Sequence, residues 1–167
     1  EDGIRDKLVT GVQTCALPIF PVLPPDVNQS QLRFSVERGV GVRFGLIAIK
    51  GIGETAIQAI LAVRDEMGGR IPSLHALCER VDLRVVNKRV FEALVKSGAC
   101  DSLLTTRTTL AADRARLLAA VDQACEHGSR VQRDKDLGQT DLFGEADPTG
   151  APVGATLPDV PPWSEIE

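Results

Sequence analysis

Ile49-Lys50-Gly51-Ile52-Gly53-Glu54-Thr55-Ala56 sets two glycines around one isoleucine just before an apolar pattern of helical period. From Ala56 on, Ile57, Ile60, Leu61 and Val63 recur on one side of a helix. That helix is expected to start near Glu54 or Thr55, run to about Met67 and stop at Gly68-Gly69. Upstream, the short apolar run Gly45 to Ile49 reads as the helix that enters the turn. Between the two helices the chain must reverse within a few residues. Gly51 and Gly53 are expected to take positive φ there, while Ile52 plugs the junction. Positions without a Cβ let the backbone approach a ligand closely, and the first N–H groups of the second helix have no acceptor within it. A phosphate group suits such a site.

Helix, tight turn, helix with exposed amides is the helix-hairpin-helix arrangement. Gly-x-Gly alone is equally explained by a helix C-cap followed by an N-cap. The longer pattern is more restrictive: apolar, Lys, Gly, apolar, Gly, then Thr55-Ala56 directly before Ile57. The residues expected to face DNA are Lys50, Gly51, Ile52, Gly53, Glu54 and Thr55, with the Lys50 ammonium placed to reach a phosphate. Contacts of this kind position a protein on a duplex and read no base sequence.

Downstream, Ser73 is placed to cap a helix running through Cys78-Glu79-Arg80. In "VDLRVVNKRVFEALVKSGACDSL", residues 81–103, Asn87 is a good N-cap, and Val90, Phe91, Leu94 and Val95 recur at helical spacing. Gly98 is placed to end that helix in the left-handed conformation. Arg84, Lys88 and Arg89 cluster near its start, either as a second DNA-facing group or as a solvated face balanced by Asp82 and Glu92. From about Thr105 an Ala-, Leu- and Arg-rich stretch reads as one long amphipathic helix, ended by Gly128 or resumed to Lys135.

Before the hairpin, Pro24 and Pro25 make "VLPPDVNQS" an extended, turn-rich connector. "LRFSV" and "GVRFGL" alternate as strands around an Arg38-Gly39 turn, which predicts a small β-hairpin. From Gly138 on, Pro and Gly accumulate in a linker composition that cannot bury enough surface to fold alone.

Charge divides the chain. Residues 31–100 carry eleven Lys/Arg against seven Asp/Glu, and residues 101–167 carry six against twelve. A basic module followed by an acidic segment suits phosphate binding and then a solvated tail. Aromatic residues make up 4% of the chain, too few for a platform on which single-stranded bases would stack. Cys15, Cys78, Cys100 and Cys125 form no Cys-x-x-Cys pair and only His75 and His127 accompany them, so a zinc site is not expected and reduced, semi-buried thiols are. The apolar run "VTGVQTCALPI", residues 9–19, is interrupted by Gln13 and Thr14 and is too short to span a bilayer. It looks like the conceptual translation of a sequencing-library adapter, which would make residues 1–19 an artefactual segment with no function; the alternative is an ordinary N-terminal strand without a site.

Three segments in order resemble the C-family bacterial replicative polymerases, the DNA polymerase III alpha subunits, in the region that follows their fingers. "VLPPDVNQS" with "RFGLIAIKGIGETAIQAI" is similar to the family's passage into its helix-hairpin-helix domain. "SLHALCERVDLRVVNKRVFEALVKSGACDSL" resembles the second half of that domain, and "GQTDLFG" the internal sliding-clamp motif. The resemblance implies that Leu142 and Phe143 enter an apolar clamp pocket while Gln139 makes polar contacts at its edge, with Asp141 within the same motif. It also implies a parent enzyme, a DNA-directed DNA polymerase using Mg2+, whose catalytic aspartates lie in a palm domain upstream of these residues; no catalytic residue, metal or cofactor is expected in this stretch itself. An error-prone paralogue and a helix-hairpin-helix repair or recombination protein are the alternatives. The clamp-like "QTDLF" speaks against the repair and recombination reading.

The expected fold is mostly α: a tandem helix-hairpin-helix-type DNA-binding domain with a small β-hairpin before it, one long helix and a disordered C-terminal linker. Its parts are residues 20–44, connector and β-hairpin; 45–104, the helix-hairpin-helix domain; 105–135, the long helix; and 136–167, clamp motif and linker. The expected partners are double-stranded DNA, the sliding clamp and other replicase subunits in a bacterial cytoplasm, with no membrane.

Overall fold

The computed structural model describes residues 21–104, 109–136, 157, 158 and 160–162. Three short strands open it: β1 (Val22–Leu23), β2 (Ser35–Glu37) and β3 (Gly41–Arg43). β2 and β3 pair antiparallel around residues 38–40, with Val36 opposite Val42, as the alternation predicts. β1 adds a parallel edge on the other side of β3, Val22 opposite Val42. The two-residue β1 lies within the stretch read as a connector, too short for any periodicity to announce it.

That stretch is a latch as well as a connector. Asp26 Oδ1 accepts from the Asn28 N–H at 2.7 Å and from the Ser102 hydroxyl at 2.8 Å. Asn28 both accepts from the Ile71 N–H at 2.7 Å and donates to the Ile71 carbonyl at 3.2 Å. The buried Arg64 guanidinium donates to the carbonyl oxygens of Ser30, at 2.7 Å, and Val27, at 3.3 Å. A buried cation on the helix after the hairpin is thus satisfied by backbone from the segment before it, which ties residues 26–30 to the helical part.

The run read as the entering helix, Gly45 to Ile49, makes only one 3-10 turn, Leu46–Ala48. Of the seven residues, 44–50, between β3 and Gly51, only these three are helical, with Gly45 and Ile49 extended on either side. A Cβ on Gly45 would lie 2.3 Å from the Arg33 backbone, so glycine is needed there for two chain segments to touch. Then follow α1 (Glu54–Glu66), α2 (Leu74–Arg80), α3 (Lys88–Lys96) and, after a second 3-10 turn at Asp101–Leu103, α4 (Leu110–Asp136). Ser73 and Asn87 cap as expected, their side-chain oxygens accepting from Ala76 N–H and Val90 N–H. Gly98 ends α3 at φ 81°, and the Gly68-Gly69 pair ends α1.

Gly128 does not end the long helix. It lies inside α4, where a Cβ would come within 2.3 Å of the Cys78 carbonyl oxygen. Glycine at this position lets α4 press against the backbone of α2; the same residue type that terminates helices also permits their closest contact. Thr109 caps α4, its hydroxyl accepting from Ala112 N–H.

One apolar core joins these elements. Ile52, Ile57, Ile60, Leu74, Leu77, Val86, Phe91, Leu94, Leu117 and Val121 belong to it. Val27 and Leu46 bring in the segment before the hairpin, and Leu157, from the stretch read as linker, lies half-buried against it. Among the described residues no helix is long and apolar enough to cross a membrane.

Candidate nucleic-acid interface

The first hairpin is built from its sequence as follows. Ile49 closes the 3-10 turn, its N–H bonding to the Leu46 carbonyl. Lys50 and Gly51 reverse the chain, and Gly51 stands at φ 90°, where a side chain would be strained. Ile52, 7% exposed, is sunk into the core directly before the N-cap. Four residues into the helix Ile57 is fully buried, the staple arrangement that fixes the angle at which chain enters a helix.

Gly53 corrects an expectation. Its φ is −82° and its ψ 154°, ordinary extended values for a helix N-cap, and not the left-handed conformation predicted for it. Backbone strain therefore requires glycine at Gly51 alone. Neither steric crowding nor conformation within the chain requires it at Gly53, since a Cβ there would meet nothing within 4 Å. Space in front of Gly51 is equally open.

The N-cap has no side-chain acceptor for the first turn of α1. The first intrahelical bond runs from Ile57 N–H to the Gly53 carbonyl at 3.2 Å, which leaves the amides of Gly53, Glu54, Thr55 and Ala56 without an acceptor in the helix, the first three on exposed residues and Ala56 on a buried one. Ala56 was not among the expected contacts. Placing the N-cap at Gly53 makes its amide the last of the set, a signal already available in the helix start. Lys50, Glu54 and Thr55 are exposed around these amides. The Glu54 carboxylate accepts from the Gln58 side-chain amide at 3.3 Å, one turn along the helix. Near a helix N-terminus it is electrostatically comfortable, but it competes with an incoming phosphate.

A second hairpin lies between α2 and α3, and it follows the same plan with different chemistry. Val86 is buried just before the N-cap Asn87, and Phe91 four residues on is fully buried, matching Ile52 and Ile57. The turn has no glycine and no positive φ; the Val85 and Val86 N–H groups close it on the Asp82 carbonyl. The Asn87 side chain occupies the Val90 amide at 3.3 Å. Where the first hairpin presents bare main chain, the second presents side chains.

Of the basic residues expected there, Arg84 and Arg89 are exposed, and the Arg84 N–H is taken by Asp82 Oδ1 at 2.9 Å. Lys88 is drawn to α4 instead: its Nζ is 2.5 Å from Asp122 Oδ1 and 3.8 Å from Glu92 Oε1. The hydrogen bond to Asp122 raises the Lys88 pKa. Lys88 is thereby partnered within the chain, and Arg84 and Arg89 are the freer cations of the three. Gln139, Asp141, Leu142 and Phe143 lie outside the described residues. Among the described residues no group of three or more His, Cys, Asp or Glu side chains could hold a metal ion.

Comparison with known proteins agrees with this geometry. The model of a helix-hairpin-helix motif matches residues 20–110, the span from the strands through α3 to the start of α4. The chain is 40% identical over 147 residues to the DNA polymerase III subunit alpha of Pseudomonas aeruginosa, a match covering 83% of this chain and 12% of that protein. The corresponding protein of Haemophilus influenzae is 38% identical over 160 residues, 96% of this chain and 13% of its own length. That of Thermus aquaticus is 39% identical over 142 residues, 85% of this chain and 11% of its own. The Haemophilus match is long enough to enter residues 1–19, whereas the Pseudomonas match can leave them out. The chain thus spans about an eighth of the length of the curated relatives it matches. With a bare hairpin, a second capped one and a motif match across more than half its residues, the chain belongs to the helix-hairpin-helix family.

Proposed function

We propose that this chain is the part of a bacterial replicative DNA polymerase alpha subunit that grips the backbone of duplex DNA and tethers the enzyme to its sliding clamp. The observation that carries the DNA half is the first turn of α1. It has uncapped amides, open space before Gly51 and Gly53, and Lys50 beside them. Such a turn holds a phosphate oxygen through partial positive charge and aligned N–H groups, irrespective of base sequence. Arg84 and Arg89 at the second hairpin add charge to the same grip.

The clamp half rests on "QTDLF" and on the likeness to DNA polymerase III alpha subunits. Two adjacent large apolar side chains in a polar, Gly- and Pro-rich stretch suit a short linear anchor, with Leu142 and Phe143 entering a pocket and Gln139 and Asp141 at its rim. Nucleotide addition in the intact parent, with Mg2+ as its metal, belongs to residues outside this chain. Other replicase subunits are partners of that parent in the bacterial cytoplasm.

The two halves are tested together by duplex-binding anisotropy and clamp pull-down on paired variants. Gly53→Val should lower duplex affinity severalfold and keep clamp retention. Leu142→Ala with Phe143→Ala should abolish clamp retention and keep duplex affinity. Unchanged duplex affinity in the first variant overturns the DNA reading, and unchanged retention in the second overturns the clamp reading.

A further inference from the structure

Where α4 presses against α2 at a glycine, two cysteines flank the contact, and neither serves the DNA reading. Gly128 of α4 sits against the backbone of Cys78 on α2, and the Gln132 side-chain amide donates to the carbonyls of Cys78, at 3.0 Å, and Val81, at 2.7 Å. Cys125 is three residues before Gly128 and therefore on the same face of α4. A Cβ on Gly128 would lie 3.0 Å from the Cys78 Cβ, so the Cys78 side chain meets the face of α4 that carries Cys125 one turn earlier. Access to the two differs: Cys78 is fully buried, whereas Cys125 is half-buried and lines an open cavity with Ser129, Arg130 and Arg133.

We propose that Cys78 and Cys125 are an oxidation site: on reaction with hydrogen peroxide they close into a disulfide that staples α2 to α4. The difference in access assigns the roles, Cys125 meeting the oxidant and Cys78 resolving. Electrostatics agree. The neighbouring Cys78 holds the Cys125 thiol below its ordinary pKa, with Lys88 helping and burial and Asp122 opposing. Cys125, together with burial, raises Cys78. The more readily formed thiolate is the accessible one, which is the condition for site-selective oxidation.

The Cys125 thiolate attacks one peroxide oxygen, the O–O bond breaks, and Cys125 becomes a sulfenic acid while hydroxide leaves. The Cys78 sulfur then attacks the sulfenic sulfur, the S–O bond breaks, and the Cys78 proton leaves with the hydroxyl as water. The hydroxide takes the proton that Cys125 had given up. Two thiols are oxidised by two electrons, and one peroxide is reduced to two waters. The product joins positions 78 and 125 across the α2–α4 contact, which removes freedom from the unfolded chain and raises the Tm.

The test is hydrogen peroxide treatment of the whole folded chain, followed by alkylation of free thiols, non-reducing digestion and peptide mass spectrometry. The expected result is a peptide pair joining Cys78 to Cys125, short of two hydrogens, with Cys100 left alkylated. Cys125→Ser and Cys78→Ser should each lose that pair, Cys15→Ser should keep it, and treatment in denaturant should scatter the pairings. A Cys125 peptide that only gains oxygen while Cys78 remains a free thiol overturns the proposal. So does a disulfide between any other two cysteines in the folded chain, or recovery of all thiols unreacted at a peroxide dose that oxidises free cysteine.

Discussion

Gly53 is the residue at which conformation and function separate. Gly51 must be glycine because its φ is 90°. Gly53 is extended, with open space where a side chain would stand. Serine is a slightly better N-cap than glycine by a few tenths of a kcal/mol, so folding alone gives no reason for glycine here. A ligand backbone brought against this turn does. Sequence could mark both glycines but could not divide these roles, because positive φ and close approach select the same residue type. Glu54 carries the opposite sign of effect. Its carboxylate sits beside the amides that would hold a phosphate, and Gln58 draws it along the helix. Glu54→Gln should therefore tighten duplex binding about two- to fivefold at low salt, by an amount that shrinks as salt is raised; binding isotherms at several ionic strengths check this.

Elements were legible where periodicity and caps agree. Ser73, Asn87 and Gly98 announced α2 and α3 because their side-chain oxygens, or the lack of a side chain, act locally. Gly128 was misleading because its reason is non-local: it answers to Cys78, fifty residues earlier in the chain. Arg64 was silent for the same reason, since its acceptors Val27 and Ser30 precede the hairpin. Gly128→Ala should push α4 off α2 and cost about 1–3 kcal/mol, although alanine is the better helix former; a lower denaturation midpoint measures it. A midpoint raised by the propensity gain would mean that the two helices are not in contact there. The packed histidine at this contact adds a pH dependence. Burial, and then the nearby His127, lowers the pKa of His75, with Glu79 opposing. The folded state then binds fewer protons than the unfolded one, so this contribution is fully present above the unfolded value near 6.5 and is lost as pH falls below it toward the lower folded value. Melting temperature should decline across that window in the unmodified chain and decline less in His75→Gln.

At the scale of the molecule, the basic residues and both hairpins coincide, while α4, packed into the same core, lies in the acidic half. Residues 31–100 contain both hairpins and most of the basic charge, and the acidic half begins with the 3-10 turn before α4. Within the basic half one hairpin offers bare amides and the other is closed by Asn87, so the two are alike in apolar framework and unlike at the surface. Sequence showed the framework of both but not this asymmetry at the level of contacts, because Lys88 reads as a free cation until Asp122 of α4 is folded against it. Residues 1–19 and the clamp motif lie outside the described residues. The most direct measurement of the central claim is the salt dependence of affinity for a random-sequence duplex, compared between the unmodified chain and Gly53→Ser. The chain should bind duplexes of different sequence equally, with affinity falling steeply as salt rises. Gly53→Ser should melt no lower yet bind more weakly, with a log–log salt slope shallower by about one unit for a lost phosphate contact. Equal affinity and equal slope in the two proteins would contradict the account.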